Sequence, residues 1–228
     1  MSVKNKCMLL YNVACCSLWL TVLFVSVQYV INKDKYPINT FWPNYKNLIT
    51  VTQSLAILEI LFTLFGLINS VVCIVTTQVC SRLFVVYLIF NYLPENNKWI
   101  FSCLITWAII DIIRYLLYSL NVLNIHVNLL ASLRNKLPLI LYPIGITSEV
   151  VCTISSLKNI RATPSLRAYP YAMPNNLNFQ IDIYYFCIFV LILYIPGSIF
   201  LYASAMRKSK KETQGMDKKL DRSGKKNI

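Results

Sequence analysis

The chain has few charged residues and little glycine. Asp, Glu, Lys and Arg make up only 14% of its 228 residues, whereas 57% are hydrophobic. A soluble domain averages about 25% charged and about 45–50% apolar residues, so this composition excludes an ordinary soluble domain and a disordered chain. There are only five glycines, and no G-x-G-x-x-G or Walker pattern is present. A nucleotide-binding phosphate loop is therefore not expected.

Metal-ligating patterns are missing as well. His126 is the only histidine, and none of the eight cysteines forms a C-x-x-C pair. Most of the cysteines lie in apolar runs, where cysteine behaves as a small hydrophobic residue. We therefore expect neither a metal site nor a disulfide framework.

Acidic residues are scarce relative to basic ones, which gives a net charge of +13. Nine of the 22 basic residues lie in the last 22 positions, after the final apolar run. A basic segment beside a membrane span is typical of a cytosolic anchor, whereas nucleic-acid binding is not expected from this placement. It favours both termini on the cytosolic side, although the short loops without the tail do not support that orientation.

Long apolar runs dominate the chain. A run of about twenty apolar residues crosses a bilayer as a helix, and none of these runs alternates as a barrel strand does. We therefore predict an all-α, polytopic membrane protein with a six-transmembrane-helix bundle over residues 1–206 and a disordered basic tail over residues 207–228. The predicted spans are residues 8–31, 48–75, 77–93, 99–123, 137–157 and 183–206.

Five charged residues lie within or at the edge of these runs, namely Glu59, Arg82, Asp111, Arg114 and Glu149. A charge at mid-bilayer costs at least about 2.5–3.5 kcal/mol, so such residues face the bundle interior and pair. Three acids and two arginines nearly balance, which predicts one internal polar cluster. Its role is either functional or limited to fixing helix packing through ion pairs.

Two spans place polar residues on one helix face. In the fourth span Asp111, Arg114, Tyr115 and Tyr118 follow i, i+3, i+4, i+7 spacing. In the fifth span Tyr142, Gly145 and Glu149 are spaced i, i+3, i+7. We expect a cleft above Gly145 with an acid–base group at each end, because seven residues advance about 10.5 Å and nearly two turns. Such a pair suits proton removal at one carbon and proton delivery at its neighbour.

Residues 141–149, LYPIGITSE, resemble the L-Y-P-x-G-x-x-x-E signature of the very-long-chain (3R)-3-hydroxyacyl-CoA dehydratases, also called the protein-tyrosine-phosphatase-like A family. Residues 53–59 resemble its Q-x-x-A-x-L-E stretch, and residues 78–82 its Q-V-x-S-R stretch. Residues 107–118 resemble W-x-x-x-E-I-I-R-Y-x-x-Y. No cysteine is followed by arginine six positions later, so phosphatase activity is excluded despite the family name.

The resemblance implies a hydro-lyase that converts (3R)-3-hydroxyacyl-CoA to trans-2-enoyl-CoA in the fatty-acid elongation cycle of the endoplasmic reticulum. It implies no metal or redox cofactor, and as partners an acyl-CoA, membrane lipid and other elongation enzymes. The final residues 225–228, KKNI, resemble a dilysine retrieval signal, which agrees with that location and a cytosolic C-terminus.

By this resemblance Tyr142 and Glu149 form the catalytic pair. We expect Glu149 to remove the α-proton and Tyr142 to protonate the leaving hydroxyl. The reverse assignment, or an ionised Tyr142 acting as base beside Arg114, is also compatible with the sequence. Supporting residues are expected at Glu59, Gln78, Arg82, Asp111, Arg114 and Tyr115. Substrate-binding residues are expected at Gly145, Tyr118, Arg134 and Lys136.

Arg134 and Lys136 are expected at the cytosolic entrance, where they either contact the CoA phosphates or only follow the inside-positive bias. The sequence departs from the family pattern at Asp111, where glutamate is usual, and over residues 134–138. These departures keep open an alternative, a catalytically inactive scaffold of the elongation complex.

Overall fold

The chain folds as a bundle of helices. A computed structural model describes residues 3–32, 34–66, 71–125, 127–169, 173, 176 and 178–224, with side chains described as far as Lys210. In this part the structure is helical apart from loops, turns and one isolated bridge between Tyr169 and Ile181. Six helical segments are long and apolar enough to cross a membrane, so the chain is a multi-pass membrane protein. The predicted all-α, six-helix architecture is confirmed.

Seven α-helices supply the six spans, because α2 and α3 share the second one. The helices are α1 Val3–Ile31, α2 Phe41–Ser54, α3 Ile57–Leu64, α4 Val72–Tyr87, α5 Trp99–Val122, α6 Asn128–Ala162 and α7 Ile183–Gly224.

The boundary between the second and third spans differs from the prediction. The second span is Ile38–Leu64, and the third begins at Val72, inside the apolar run that we assigned to the second. Gly66 has φ +66°, a conformation that glycine adopts without steric cost, and it follows the end of α3. The start also lies earlier, because Phe41 is fully buried and packs edge-on against Phe101. The sequence is apolar on both sides of this break, so the run of apolar residues did not reveal where the second span ends.

Helix α5 is the central helix of the bundle. It packs against α1 and α6, and α6 packs against α7. Within an apolar 18-residue stretch of each span, over half of the α5 residues but only 6% of the α7 residues are buried inside the protein. The polar residues of α5 therefore face other helices. Helix α7 instead exposes large apolar side chains that suit contact with lipid. They include Phe189, Ile192, Ile195 and Ile199.

Helices α6 and α7 extend beyond the predicted spans. Helix α6 has 35 residues, about 52 Å at helical rise, and continues through Pro138 and Pro143. Helix α7 continues to Gly224, whereas we predicted disorder from residue 207. Lysine, glutamate and glutamine are good helix formers, and extending a formed helix needs no new nucleation. The dilysine sequence at residues 225–228 lies outside the described residues.

Candidate active site

Tyr142 and Glu149 of α6 line one small cavity between α4, α5, α6 and α7. We call this space the inner cavity. Gly145 lies between them and also lines it. A β-carbon at Gly145 would lie 3.3 Å from Thr106 Oγ1, so α6 and α5 approach closely where no side chain intervenes. The three residues that the sequence placed on one stripe thus share a cavity.

The Glu149 carboxylate is buried and held at both oxygens. Trp107 Nε1 on α5 donates to Oε1 at 2.8 Å, and the Tyr194 hydroxyl on α7 donates to Oε2 at 2.7 Å. The side chain has no ion-pair partner among the described residues, unlike the other buried carboxylates of the spans. A carboxylate offers about four lone-pair sites, so two donors orient Glu149 and leave it able to accept a proton.

The Tyr142 hydroxyl accepts a hydrogen bond from Gln78 Nε2 on α4, at 2.7 Å. Because the amide supplies the hydrogen, the phenol keeps its own hydrogen for another acceptor. Tyr142 is half-buried and also lines a second, larger cavity. The phenol therefore lies where the two cavities meet, with Gln78 and Arg82 lining both beside it.

Four of the five charged residues form one continuous chain of ion pairs. Arg82 Nη1 lies 2.5 Å from Asp111 Oδ2, and Asp111 Oδ1 lies 3.1 Å from Arg114 Nη2. Arg114 Nη2 also lies 2.7 Å from Glu59 Oε1, which accepts a further hydrogen bond from the Tyr115 hydroxyl. The shorter acid Asp111 still reaches both arginines. The predicted internal polar cluster is present, but Glu149 stands apart from it.

The larger space, which we call the outer cavity, is walled by α2 to α7 and by this ion-pair chain. Tyr118 and Arg134 line it, and Arg134 Nη2 donates to the Tyr118 hydroxyl at 3.0 Å. Lys208 of α7 lines the same region and is exposed. This end of the cavity thus carries two cations from different helices.

Two predicted residues lie away from both cavities. Lys136 is exposed and lines neither, because two positions after Arg134 a helix points its side chain to a different face. Tyr115 is buried behind Glu59. Lys136 is thus not brought together with the other candidates, whereas Tyr115 contacts them from outside the cavity.

Sequence reasoning missed three site residues, Trp107, Tyr194 and Lys208. Trp107 was recognised only as part of a motif. Tyr194 is one of several tyrosines in the sixth apolar run, and Lys208 was counted as part of the basic tail. The spacing of Tyr194, Leu201 and Lys208, seven residues apart, was the available signal for a common face.

Comparison with known proteins agrees with these motifs. A family model described as protein tyrosine phosphatase-like protein, PTPLA, matches residues 53–215, a range that contains every candidate site residue. No solved structure is significantly similar to the chain.

Named relatives align with most of the chain. The chain is 33% identical to the very-long-chain (3R)-3-hydroxyacyl-CoA dehydratase PASTICCINO 2 of Arabidopsis thaliana, over 92% of the chain and 97% of that protein. It is 32% identical to PASTICCINO 2A of Oryza sativa subsp. japonica, over 91% and 93% of the two chains. It is 29% identical to the very-long-chain (3R)-3-hydroxyacyl-CoA dehydratase 2 of Homo sapiens, over 90% of the chain and 79% of that protein. The family expected from the motifs is confirmed: the chain belongs to the protein tyrosine phosphatase-like, PTPLA, family.

Proposed function

We propose that the chain dehydrates very-long-chain (3R)-3-hydroxyacyl-CoA to trans-2-enoyl-CoA and water, as its named relatives do. The observation that carries this proposal is the presence of Tyr142 and Glu149 in the same cavity. The reaction needs a base for the α-carbon and an acid for a poor leaving group, and the cavity offers one of each. A larger cavity meets the inner cavity at Tyr142, which a scaffold without catalytic activity would not need.

In the proposed mechanism Glu149 takes a proton from C2, and the electron pair of that C–H bond forms the C2=C3 double bond. The C3–O bond breaks, and the hydroxyl leaves as water with a proton from Tyr142. The hydrogen bond from Gln78 stabilises the phenolate that forms. Glu149 then releases its proton to water and Tyr142 takes one up from water, which resets the pair. No metal or redox cofactor takes part in these steps.

The ion-pair chain has a supporting role in this proposal. Arg82 places positive charge at the junction of the two cavities, where negative charge develops on the thioester oxygen in this proposal, and Arg114 adds positive charge on the wall of the outer cavity. Asp111 and Glu59 hold the two guanidinium groups, and Tyr115 holds Glu59. We assign them positioning roles, since their contacts are with one another and with the cavity walls.

We place the protein in the endoplasmic reticulum membrane with both termini in the cytosol, beside the other enzymes of fatty-acid elongation. The basic tail supports this orientation, and the family relationship supports the location. On this topology Arg134 lies on the cytosolic side, from which acyl-CoA enters, and the acyl tail runs between helices. Protease protection of a tag at each terminus in sealed microsomes tests the orientation; a protected tag would contradict it.

Purified protein in lipid nanodiscs, supplied with (3R)-3-hydroxyacyl-CoA of several chain lengths, tests the activity. We expect enoyl-CoA from the unaltered protein and a loss of about 10²- to 10⁴-fold in Tyr142→Phe and Glu149→Gln. Tyr185→Phe and Glu95→Gln, the same changes at exposed positions, serve as matched controls. No product at any chain length from folded protein would contradict the enzyme and favour the inactive scaffold.

A further inference from the structure

Gln53 carries a buried amide with no hydrogen-bond partner. Its side chain is 1% exposed, and no described residue bonds to either its amide nitrogen or its amide oxygen. Gln53 lines the outer cavity on the same wall as Ala56 and Glu59. Leaving a buried donor and acceptor unpaired is costly, so such a group in a cavity wall indicates a ligand that supplies both partners.

The missing partner has a definite chemistry. A carboxamide donates through its nitrogen and accepts through its oxygen, so a ligand that presents the carbonyl of one amide and the N–H of another satisfies both. The buried Nε of Arg114 is likewise without a hydrogen-bond partner and lines the same cavity, where it offers a second donor to a carbonyl. An acyl-CoA carries two amides, both in the pantetheine arm between the phosphates and the thioester.

Arg134 and Lys208 lie at one end of the outer cavity, where they suit the phosphate groups of CoA. These two cations come from helices α6 and α7 and line the outer cavity together. Arg134 is held against Tyr118 by a hydrogen bond of 3.0 Å and by stacking of the guanidinium on the ring at 5.1 Å. Paired cations at the entrance of a deep cavity suit a phosphate group, as arginine and lysine do at other phosphate sites.

The spacing along the helices matches the length of the pantetheine arm. On α7, Tyr194 bonds to Glu149, and Leu201 lines both cavities as Tyr142 does. Lys208, a further seven residues on, lies at the end of the outer cavity near Arg134. From Arg134 to the midpoint between Tyr142 and Glu149 is about 17 Å at helical rise. In CoA, thirteen bonds separate the phosphorus from the sulfur. A fully extended chain of that many bonds is as long as four to five extended residues, about 15 Å.

We propose that the outer cavity is the binding site for the pantetheine arm of an acyl-CoA, with Gln53 as its amide partner and Arg134 and Lys208 as its phosphate partners. This inference rests on the proposed function for the identity of the acyl-CoA, but it concerns binding and not turnover. It assigns Gln53 and Lys208 roles that neither the motifs nor the catalytic pair requires.

Equilibrium binding of octanoyl-CoA, which has no hydroxyl to lose, tests the site without turnover. Octanoyl-pantetheine, which keeps both amides and lacks the diphosphate and the nucleotide, is the second probe. In Gln53→Met we expect the Kd of both probes to rise about 10-fold, as for the loss of two neutral hydrogen bonds. In Lys208→Ala we expect the Kd of octanoyl-CoA to rise about 3- to 10-fold and that of octanoyl-pantetheine to stay unchanged.

Matched controls are Gln28→Met on α1 and Lys210→Ala on α7, which lie outside both cavities. Thermal unfolding checks the fold; Gln53→Met should not lower stability, since Gln53 has no partner in the described protein. Unchanged binding of both probes to folded Gln53→Met, or no saturable binding to the unaltered protein, would overturn the site. If these binding effects are observed but the protein does not dehydrate 3-hydroxyacyl-CoA, only the proposed function is contradicted.

Discussion

The Tyr194 hydroxyl donates a hydrogen bond of 2.7 Å to Glu149 Oε2, and so links the last transmembrane helix to the proposed base. The other carboxylate oxygen is held by Trp107 from the central helix. Three helices therefore meet at one carboxylate. Its orientation depends on their packing and not on α6 alone.

Tyr194→Phe removes one of these two donors and little volume. We expect kcat to fall about 10- to 100-fold, because an unpaired buried carboxylate oxygen costs about 1–3 kcal/mol and Glu149 loses its orientation. KM should change less than about threefold, since Tyr194 lines neither cavity. Steady-state kinetics in nanodiscs measure both values, with Tyr202→Phe on the same helix as control. An unchanged kcat would remove Tyr194 from the positioning of Glu149.

Trp107→Phe tests the second donor while keeping an aromatic ring against Phe90 and Arg82. We expect a fall in kcat similar to that of Tyr194→Phe, because each change leaves one oxygen of Glu149 unpaired. In the double variant the two effects should not add, since both act through the same carboxylate. A double-mutant cycle on kcat provides the measurement. Strict additivity would show that the two donors act independently.

Asp111→Asn removes the charge that bridges Arg82 and Arg114. Removing one partner from a buried ion pair typically costs about 3–5 kcal/mol, because the remaining charges are uncompensated. The two arginine side chains are 13% and 21% exposed, so we expect a cost at or below the lower end of this range. Thermal unfolding in nanodiscs should show a lower Tm for Asp111→Asn and a smaller change for Asp111→Glu, which keeps the charge. Equal Tm values for the two variants would contradict a role for the charge.

Gly145→Ala introduces a β-carbon 3.3 Å from Thr106 Oγ1, within a tight contact of two helices. We expect a loss of roughly 1 kcal/mol in stability and a smaller inner cavity with lower kcat/KM. Thr106→Ala in the same chain removes the opposing hydroxyl and should restore both values in part. Unfolding and kinetic measurements on the single and double variants test this. Gly145→Ala with unaltered stability and activity would show that the close approach is not needed.

The sequence predicted the spans and part of the site for a clear physical reason. Apolar runs and buried charges obey bilayer energetics, which act on each helix separately. Helical spacing likewise placed Tyr142 and Glu149 on one face of α6. Both predictions are local, and the structure places the two residues in one cavity.

The contacts that complete the site come from other helices, and no local rule predicts them. Tyr194 and Lys208 matter only because α7 packs antiparallel to α6 in a particular register. The break near Gly66 was missed for a related reason, because hydropathy reports burial in lipid and not chain direction. Glu149 was grouped with the arginines on composition alone, whereas its hydrogen bonds are to Trp107 and Tyr194.

The seven-residue repeat of Tyr194, Leu201 and Lys208 places residues of both cavities on one helix. A slide of α7 by a single turn, about 5.4 Å, would withdraw the donor from Glu149 and carry the ammonium group away from Arg134 in the same movement. The axial position of this lipid-facing helix thus governs both ends of the reaction path. Because membrane thickness acts on that position, we expect it to influence the proposed activity.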